Sequence, residues 1–335
     1  MGASCTGSSA TPTTAATGAV SASGTTSTVS AAVTKAEAFL ATLSAEQKES
    51  VLEDYSALGT KQCSWSNFPD GLFNGRIGLK LGDLSDTQKT AAYAALQSVL
   101  SADGYTQVKN EIAGDDYLAA TGGSPGNPGE DYYHIVLFGE PSADQPWTLQ
   151  FGGHHLAVHV SLGGGALSVS PHFSGIQPIS FDSGGTTIEG MKQETEDIFG
   201  LFKSLTSDQQ TSAKTADSYD DIVMGPGTDT GYPTQEGLSY SKLTDAQKAQ
   251  VKAVIKDWVG DAADTLSKPL LDLYNSQLDQ TTISYSGTVE EETTGAYFRI
   301  DGPRVWIEWI NTAAAGFHYH TVYRDKQLDY GTGVS

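Results

Sequence analysis

One short phrase recurs four times and narrows the folds open to this chain: Leu43-Ser-Ala-Glu-Gln47, Leu84-Ser-Asp-Thr-Gln88, Leu205-Thr-Ser-Asp-Gln209 and Leu243-Thr-Asp-Ala-Gln247. In each, a Ser or Thr stands three residues before a Gln. That is the spacing of a capping box, in which the hydroxyl accepts from an orphan amide and the Gln side chain reaches back to the cap. The Leu before each cap is placed to staple onto the first turn. Each phrase therefore marks a helix start and carries no direct chemistry. Ala91, Tyr93, Ala94, Leu96 and Val99 follow the second box, and Val251, Val254, Ile255 and Trp258 follow the fourth, both at helical spacing. The boxes are too unevenly spaced for a solenoid and the segments between them differ, so no internal repeat is expected.

Strand-like segments occupy the rest. Residues 132–138, 147–151 and 156–160 are rich in β-formers, and residues 166–170 follow the turn candidate Gly163-Gly-Gly165. Residues 296–300, 305–310 and 317–323 form a second such group. Helices and strands come in blocks without regular alternation. The expectation is an α+β fold with a mainly antiparallel sheet and several capped amphipathic helices. One domain is expected over residues 33–335. Residues 1–32, almost all Gly, Ala, Ser, Thr and Val, read as a disordered leader or tether. Met1-Gly-Ala-Ser-Cys5 has the look of an export signal replaced by a start codon, with Cys5 as a lipid-bearing residue. The expected location is periplasmic, cell-surface or secreted.

Forty acidic against nineteen basic side chains, a formal net charge of −21, exclude nucleic acid and anionic membranes as partners. No apolar run approaches transmembrane length, and a monomer is expected. Cys5 and Cys63 belong to no C-x-x-C pattern, so thiolate-rich metal sites are excluded, while a bridge between the two stays open. There is no G-x-S-x-G elbow, H-E-x-x-H, P-loop or dinucleotide fingerprint.

Chemistry is concentrated in histidine. Four of the seven histidines lie in two short segments, His154-His155 and His318-Tyr-His320. Residues two apart on a strand share a face, so His318 and His320 point the same way. Adjacent residues diverge, so His154 and His155 meet one cavity only if Gly152-Gly153 distorts the strand. The ligand set expected from the residues is His154, His155, His318 and His320, with Glu308 as a carboxylate ligand. Nitrogen donors without thiolate suit zinc or copper. The set is similar to the ligand inventory of copper monooxygenases that act on peptides, an analogy of ligands alone. Arg324, Asp325 and Asp329 follow the His-x-His strand and are expected to orient an imidazole or to act as base. His134 and His172 stand singly and are read as structural.

Several phrases together resemble a known bacterial family, catalogued as domain of unknown function 3500. They are Trp65-Ser-Asn-Phe-Pro69 with Arg76-Ile-Gly78, Gly153-His-His-Leu156, and Pro171-His-Phe-Ser-Gly175 with Pro178. Arg299-Ile-Asp-Gly-Pro303 with Glu308, His318-Tyr-His320, Tyr323-Arg-Asp325 and Asp329-Tyr-Gly331 complete them. Gln177 stands where an acidic residue is expected. The resemblance spans roughly residues 35–333 and implies a shared fold, but it brings no established activity. The functional expectation is a metal-dependent enzyme, hydrolytic or copper-oxidative, acting on a small organic molecule or peptide. The alternatives are a metal-sequestering protein and a surface binding module with structural histidines.

Overall fold

The computed structural model describes residues 19–290, 293–312 and 317–334. The first eighteen residues of the leader lie outside this range, and with them Cys5 and the lipid or bridge to Cys63 considered for it. Elements are already present in residues 19–32, within the stretch read as a leader. Val20–Ser21 pairs with Leu167 and Ala166, and the helix Thr26–Ala41 buries Val29, Ala32, Ala36, Phe39 and Leu40. Those side chains recur at three- and four-residue spacing, which gives a Ser/Thr/Ala-rich stretch one apolar stripe to bury.

All four boxes form. Ser44, Ser85, Thr206 and Thr244 accept from the amides of Gln47, Gln88, Gln209 and Gln247, and each Gln returns the bond. The glutamines also join the boxes in pairs. Gln88 Nε2 donates to Gln47 Oε1 at 2.8 Å, and Gln247 Nε2 donates to Gln209 Oε1 at 2.9 Å.

This pairing exposes a repeat that residue spacing hid. Residues 26–176 run as helix Thr26–Ala41, capped helix Ala45–Val51, strand Leu79–Lys80, capped helix Asp86–Gln97 and helix Ala102–Thr121. The strands His134–Phe138, Trp147–Gly152, Leu156–Gly163 and His172–Ile176 then follow, with the short strand Ala166–Ser168 folded back antiparallel on the third. The second half repeats the order with helix Lys192–Lys203, capped helix Ser207–Ala213, strand Leu238–Ser239, capped helix Asp245–Val259 and helix Asp264–Ser276. Its strands are Thr282–Ser286, Tyr297–Asp301, Val305–Asn311 and Tyr319–Asp325. Matching details recur as well. The Gly153 amide bonds the Leu156 carbonyl as the Gly302 amide bonds that of Val305. Between the halves, Leu100 and Ala262 form an antiparallel bridge at equivalent helix connections.

The two strand sets form one sheet. Its middle is the antiparallel pairing of His172–Ile176 with Tyr319–Asp325, and each of these strands leads outward into its own half. The expected α+β class and antiparallel sheet hold, apart from a short parallel edge pairing of Leu52–Glu53 with Leu137–Phe138. One face carries the larger core, where helix residues such as Phe39, Leu96, Phe199 and Leu270 meet Leu149, Val158, Ile307 and Trp309. The other face is roofed by loops, with Trp65, Ile222 and Tyr330 on Ala157, Phe173, Ile310 and Val322. Among the described residues no helix is long and apolar enough to cross a membrane.

A groove of about 820 Å³ where four helices end gathers Asp103, Glu194, Asp257, Asp261 and Asp264. The Asp257 carboxyl is pushed up to about 8, first by burial and then by its hydrogen bond to, and repulsion from, Asp197. Glu194 and Asp261 are raised too, chiefly by burial. A carboxyl raised above its unfolded value stabilises the fold while protonated, and that contribution fades as pH climbs from about 4 through the folded pKa. Asp257→Asn, which cannot ionise, should therefore gain on the natural protein as pH rises. We expect the gap in melting temperature to widen by roughly 2 °C between about pH 5 and about pH 9. A gap independent of pH rejects this account of Asp257.

Candidate metal centre

Strand register brings the two histidine segments together. Gly175, on the central strand, pairs with His320 on one side, and on the other its amide donates to the His155 carbonyl at 2.8 Å. The glycine is necessary there. A Cβ at residue 175 would stand 2.8 Å from His155 Cδ2 and 3.0 Å from His320 Cδ2, closer than the rings allow. His154 and His155 are not on a regular strand. They occupy the turn between Trp147–Gly152 and Leu156–Gly163, which frees them from alternation. Their rings stack with centroids 3.6 Å apart and planes at 28°. Gly153 permits this turn because the Tyr133 ring fills the space its side chain would need.

Asp115, on the helix Ala102–Thr121, is the anchor of the doublet. Its Oδ1 accepts from His155 Nδ1 at 2.7 Å and from His154 Nδ1 at 3.0 Å. Its Oδ2 accepts from the Tyr133 hydroxyl at 2.8 Å and from the His155 amide at 3.3 Å. Burial works to raise the carboxyl, but the imidazoles of His155 and His154 outweigh it and hold Asp115 well below the usual carboxylate range. A second carboxylate serves His320. Asp221 Oδ1 accepts from His320 Nδ1 at 2.7 Å and is steadied by the Ile222 amide and by Asn67. Despite burial, the His320 contact keeps Asp221 below its ordinary value. An imidazole that gives Nδ1–H to a carboxylate keeps a lone pair on Nε2, the arrangement found behind metal-ligating histidines.

That leaves nitrogens without donors. His155 Nε2 faces His318 Nε2 at 2.8 Å, while His318 Nδ1 and His320 Nε2 are buried with no hydrogen-bond partner. One proton between His155 and His318 satisfies that contact and leaves the other two bare. His155, His318 and His320 offer ligand atoms within 4.8 Å of one another, and Asp115, His154 and His155 form an overlapping group. Burial first, then the neighbouring His320 and His155, keep the His318 imidazole strongly depressed and neutral. Nitrogen lone pairs crowded together and buried without donors are the inventory a metal cation satisfies. The donors fit such an ion.

A cleft of about 350 Å³ opens onto the cluster, with His154, His318, His320 and Asp221 among its lining residues. Phe68, Pro69 and Leu72 form one side, and Ser124 and Pro125 also line it. Arg76 ties this wall to the histidine turn, its Nη2 bonding the carbonyls of Ser66 at 2.7 Å, Phe68 at 2.6 Å and Gly153 at 2.5 Å.

The other expected site residues lie elsewhere. Glu308 is not free to ligate, because its carboxylate accepts from the Val223 and Met224 amides, Trp306 Nε1 and the Tyr297 hydroxyl at 2.6–2.9 Å. It anchors the loop that carries Asp221. Asp325 pairs with Arg304 at 2.8 Å and accepts from Tyr274 at 2.7 Å. Arg324 is held by Asp229 and Asp329 at 2.5 and 2.7 Å. None of these three bonds a histidine of the cluster, and from His320 to Asp325 an extended strand covers roughly 17 Å. Of the remaining histidines, His159 Nδ1 bonds the Pro171 carbonyl, burial depresses His172 to about 4, and His134 Nε2 lies 3.3 Å from Asp70 Oδ1, all away from the cluster. Asp115, Asp221 and Tyr133 gave no sign in the sequence, since each acts on a partner distant along the chain. Arg76 and Gly175 stood inside phrases of the family resemblance, without a role.

The chain matches the model of a family described as protein of unknown function (DUF3500) over residues 25–332, and it belongs to that family. No curated protein and no solved structure matches it.

Asp115→Ala strips four donors of one buried acceptor. It should cost about 2–4 kcal/mol in denaturant unfolding of metal-free protein. A loss below about 0.5 kcal/mol contradicts the anchoring role.

Proposed function

We propose that this member of the family is a metal-dependent enzyme whose ion is held by His155, His318 and His320 and faces the cleft. The observation that carries the reading is the pair of bare, buried nitrogens on His318 and His320, backed by the carboxylates behind His155 and His320. Three imidazoles leave a coordination position for water or substrate, whereas sequestration favours a closed set of four. The cleft lies on that side, which favours turnover.

A bound zinc would supply a water acidified towards neutral pH and a Lewis acid for a carbonyl or similar group, and copper in the same nitrogen set would supply redox chemistry. The protein's share is positional. Asp115 and Asp221 fix the ring tautomers and orientations. His154, whose Nδ1 is held by Asp115 and whose ring borders the cleft, is the group placed to take or return a proton at Nε2. Because the ligands come from both halves of the sheet, a folded chain presents them preassembled.

Untagged protein should carry one equivalent of zinc or copper per chain by elemental analysis. His318→Ala/His320→Ala should lose it while helical circular dichroism persists. Metal content unchanged in that double variant refutes the ligands. Gly175→Ala should weaken metal binding by at least tenfold in a competitive chelator titration, since its methyl group separates His155 from His320. Affinity equal to that of the natural protein would show that the pinch at Gly175 does not set the ligand geometry.

A further inference from the structure

The cleft wall says which molecules the centre is shaped to receive. Phe68 and Leu72 are 55% and 57% exposed, among the few large apolar side chains left in solvent by a protein that buries most of its aromatic and aliphatic residues. Both line the cleft above the histidines, beside Pro69 and Pro125. Their exposure is built in. The Gly71 amide bonds the Gly126 carbonyl at 2.8 Å, and Gly126, at φ 90°, lies against Leu72, so the two rim loops brace each other. Arg76 fixes the Phe68 carbonyl from behind. A braced apolar wall over a polar floor is the usual form of a small-ligand site, and about 350 Å³ suits a small organic molecule.

Charge narrows the choice. Among the described residues, those lining the cleft include Asp220 and Asp221 and no Lys or Arg. The nearby Arg76 has a side chain 3% exposed and its Nη2 on three carbonyls. With the chain at −21, an anionic group at the outer end of a ligand meets repulsion at the mouth and no cationic side chain along the wall, whatever charge the metal supplies at the floor.

We propose that the cleft takes an uncharged organic molecule with a flat apolar end, which lies on Phe68 and Leu72 while its polar group reaches His318 and His320. This rests on the metal reading for the chemistry, though not for the wall. Imidazole and 4-phenylimidazole carry the same coordinating head and differ by the apolar ring, and a para-carboxylate on that ring adds the charge. Cobalt-loaded protein, titrated by visible absorption, should bind 4-phenylimidazole at least tenfold more tightly than imidazole, the size expected for burying a phenyl group. The carboxylated probe should bind more weakly than the plain one. Phe68→Ser/Leu72→Ser, altering only exposed side chains, should bring the phenyl preference below about threefold and leave imidazole affinity unchanged. Equal affinities in the natural protein, or a preference that survives the double variant, overturn the proposal, and so does tighter binding of the carboxylated probe. The same affinity ratios, read calorimetrically in metal-free protein, decide the matter even when cobalt is not taken up. Failure of cobalt to bind counts against the metal centre alone.

Discussion

The antiparallel pairing of His172–Ile176 with Tyr319–Asp325 fixes nearly everything else about the site. A slip of one residue would turn His320 to the opposite face and move Gly175 away from it. Register is held because both strands are buried on both sides, with helices over one face and loops over the other. The same pairing joins the two halves of the molecule. The interaction that closes the fold is thus the one that assembles the imidazoles, and neither half owns the cluster.

The halves share their element order but not their chemistry. At the turn equivalent to Gly153-His-His-Leu156, the second half has Gly302-Pro-Arg-Val305, so Arg304 stands where His155 does. Arg304 is satisfied by Asp325, which also takes the Tyr274 hydroxyl. One copy of the turn is a closed ion pair, and the other sets His155 Nε2 against His318, beside the nitrogens of His318 and His320 that have no partner. Buried groups of the first kind are complete in themselves, while those of the second kind need something from outside. The contrast within one chain makes the bare nitrogens harder to dismiss as ordinary core polarity.

Much of the fold was legible because its signals are local. Capping boxes act over three residues, and all four formed. Strand blocks announced an antiparallel sheet. The repeat escaped because it lives in element order and in glutamine contacts about forty residues apart, such as Gln47 with Gln88. The histidines were found from clustering alone, and the glycines before the doublet did signal a break in alternation. Arg324, Asp325 and Asp329 misled because proximity along the chain suggested proximity to the histidines, but a strand carries its two ends apart. Glu308, paired with Val322 on the neighbouring strand, misled because its carboxylate is taken up by loop amides, Trp306 and Tyr297. Their buried charges instead pin the loops over the sheet, one of which delivers Asp221. The carboxylates that do serve the histidines come from a helix and a loop with no distinguishing pattern.

Arg76 is also a mechanical part of the opening. One guanidinium grips carbonyls from the loop under Phe68 and from the turn under His154, so the threshold and the floor of the opening move as a unit. An aperture framed this way has a fixed gauge. On the proposed reading, a ligand would have to match its width or come in edge-on, so selection by girth would precede any chemistry at the imidazoles.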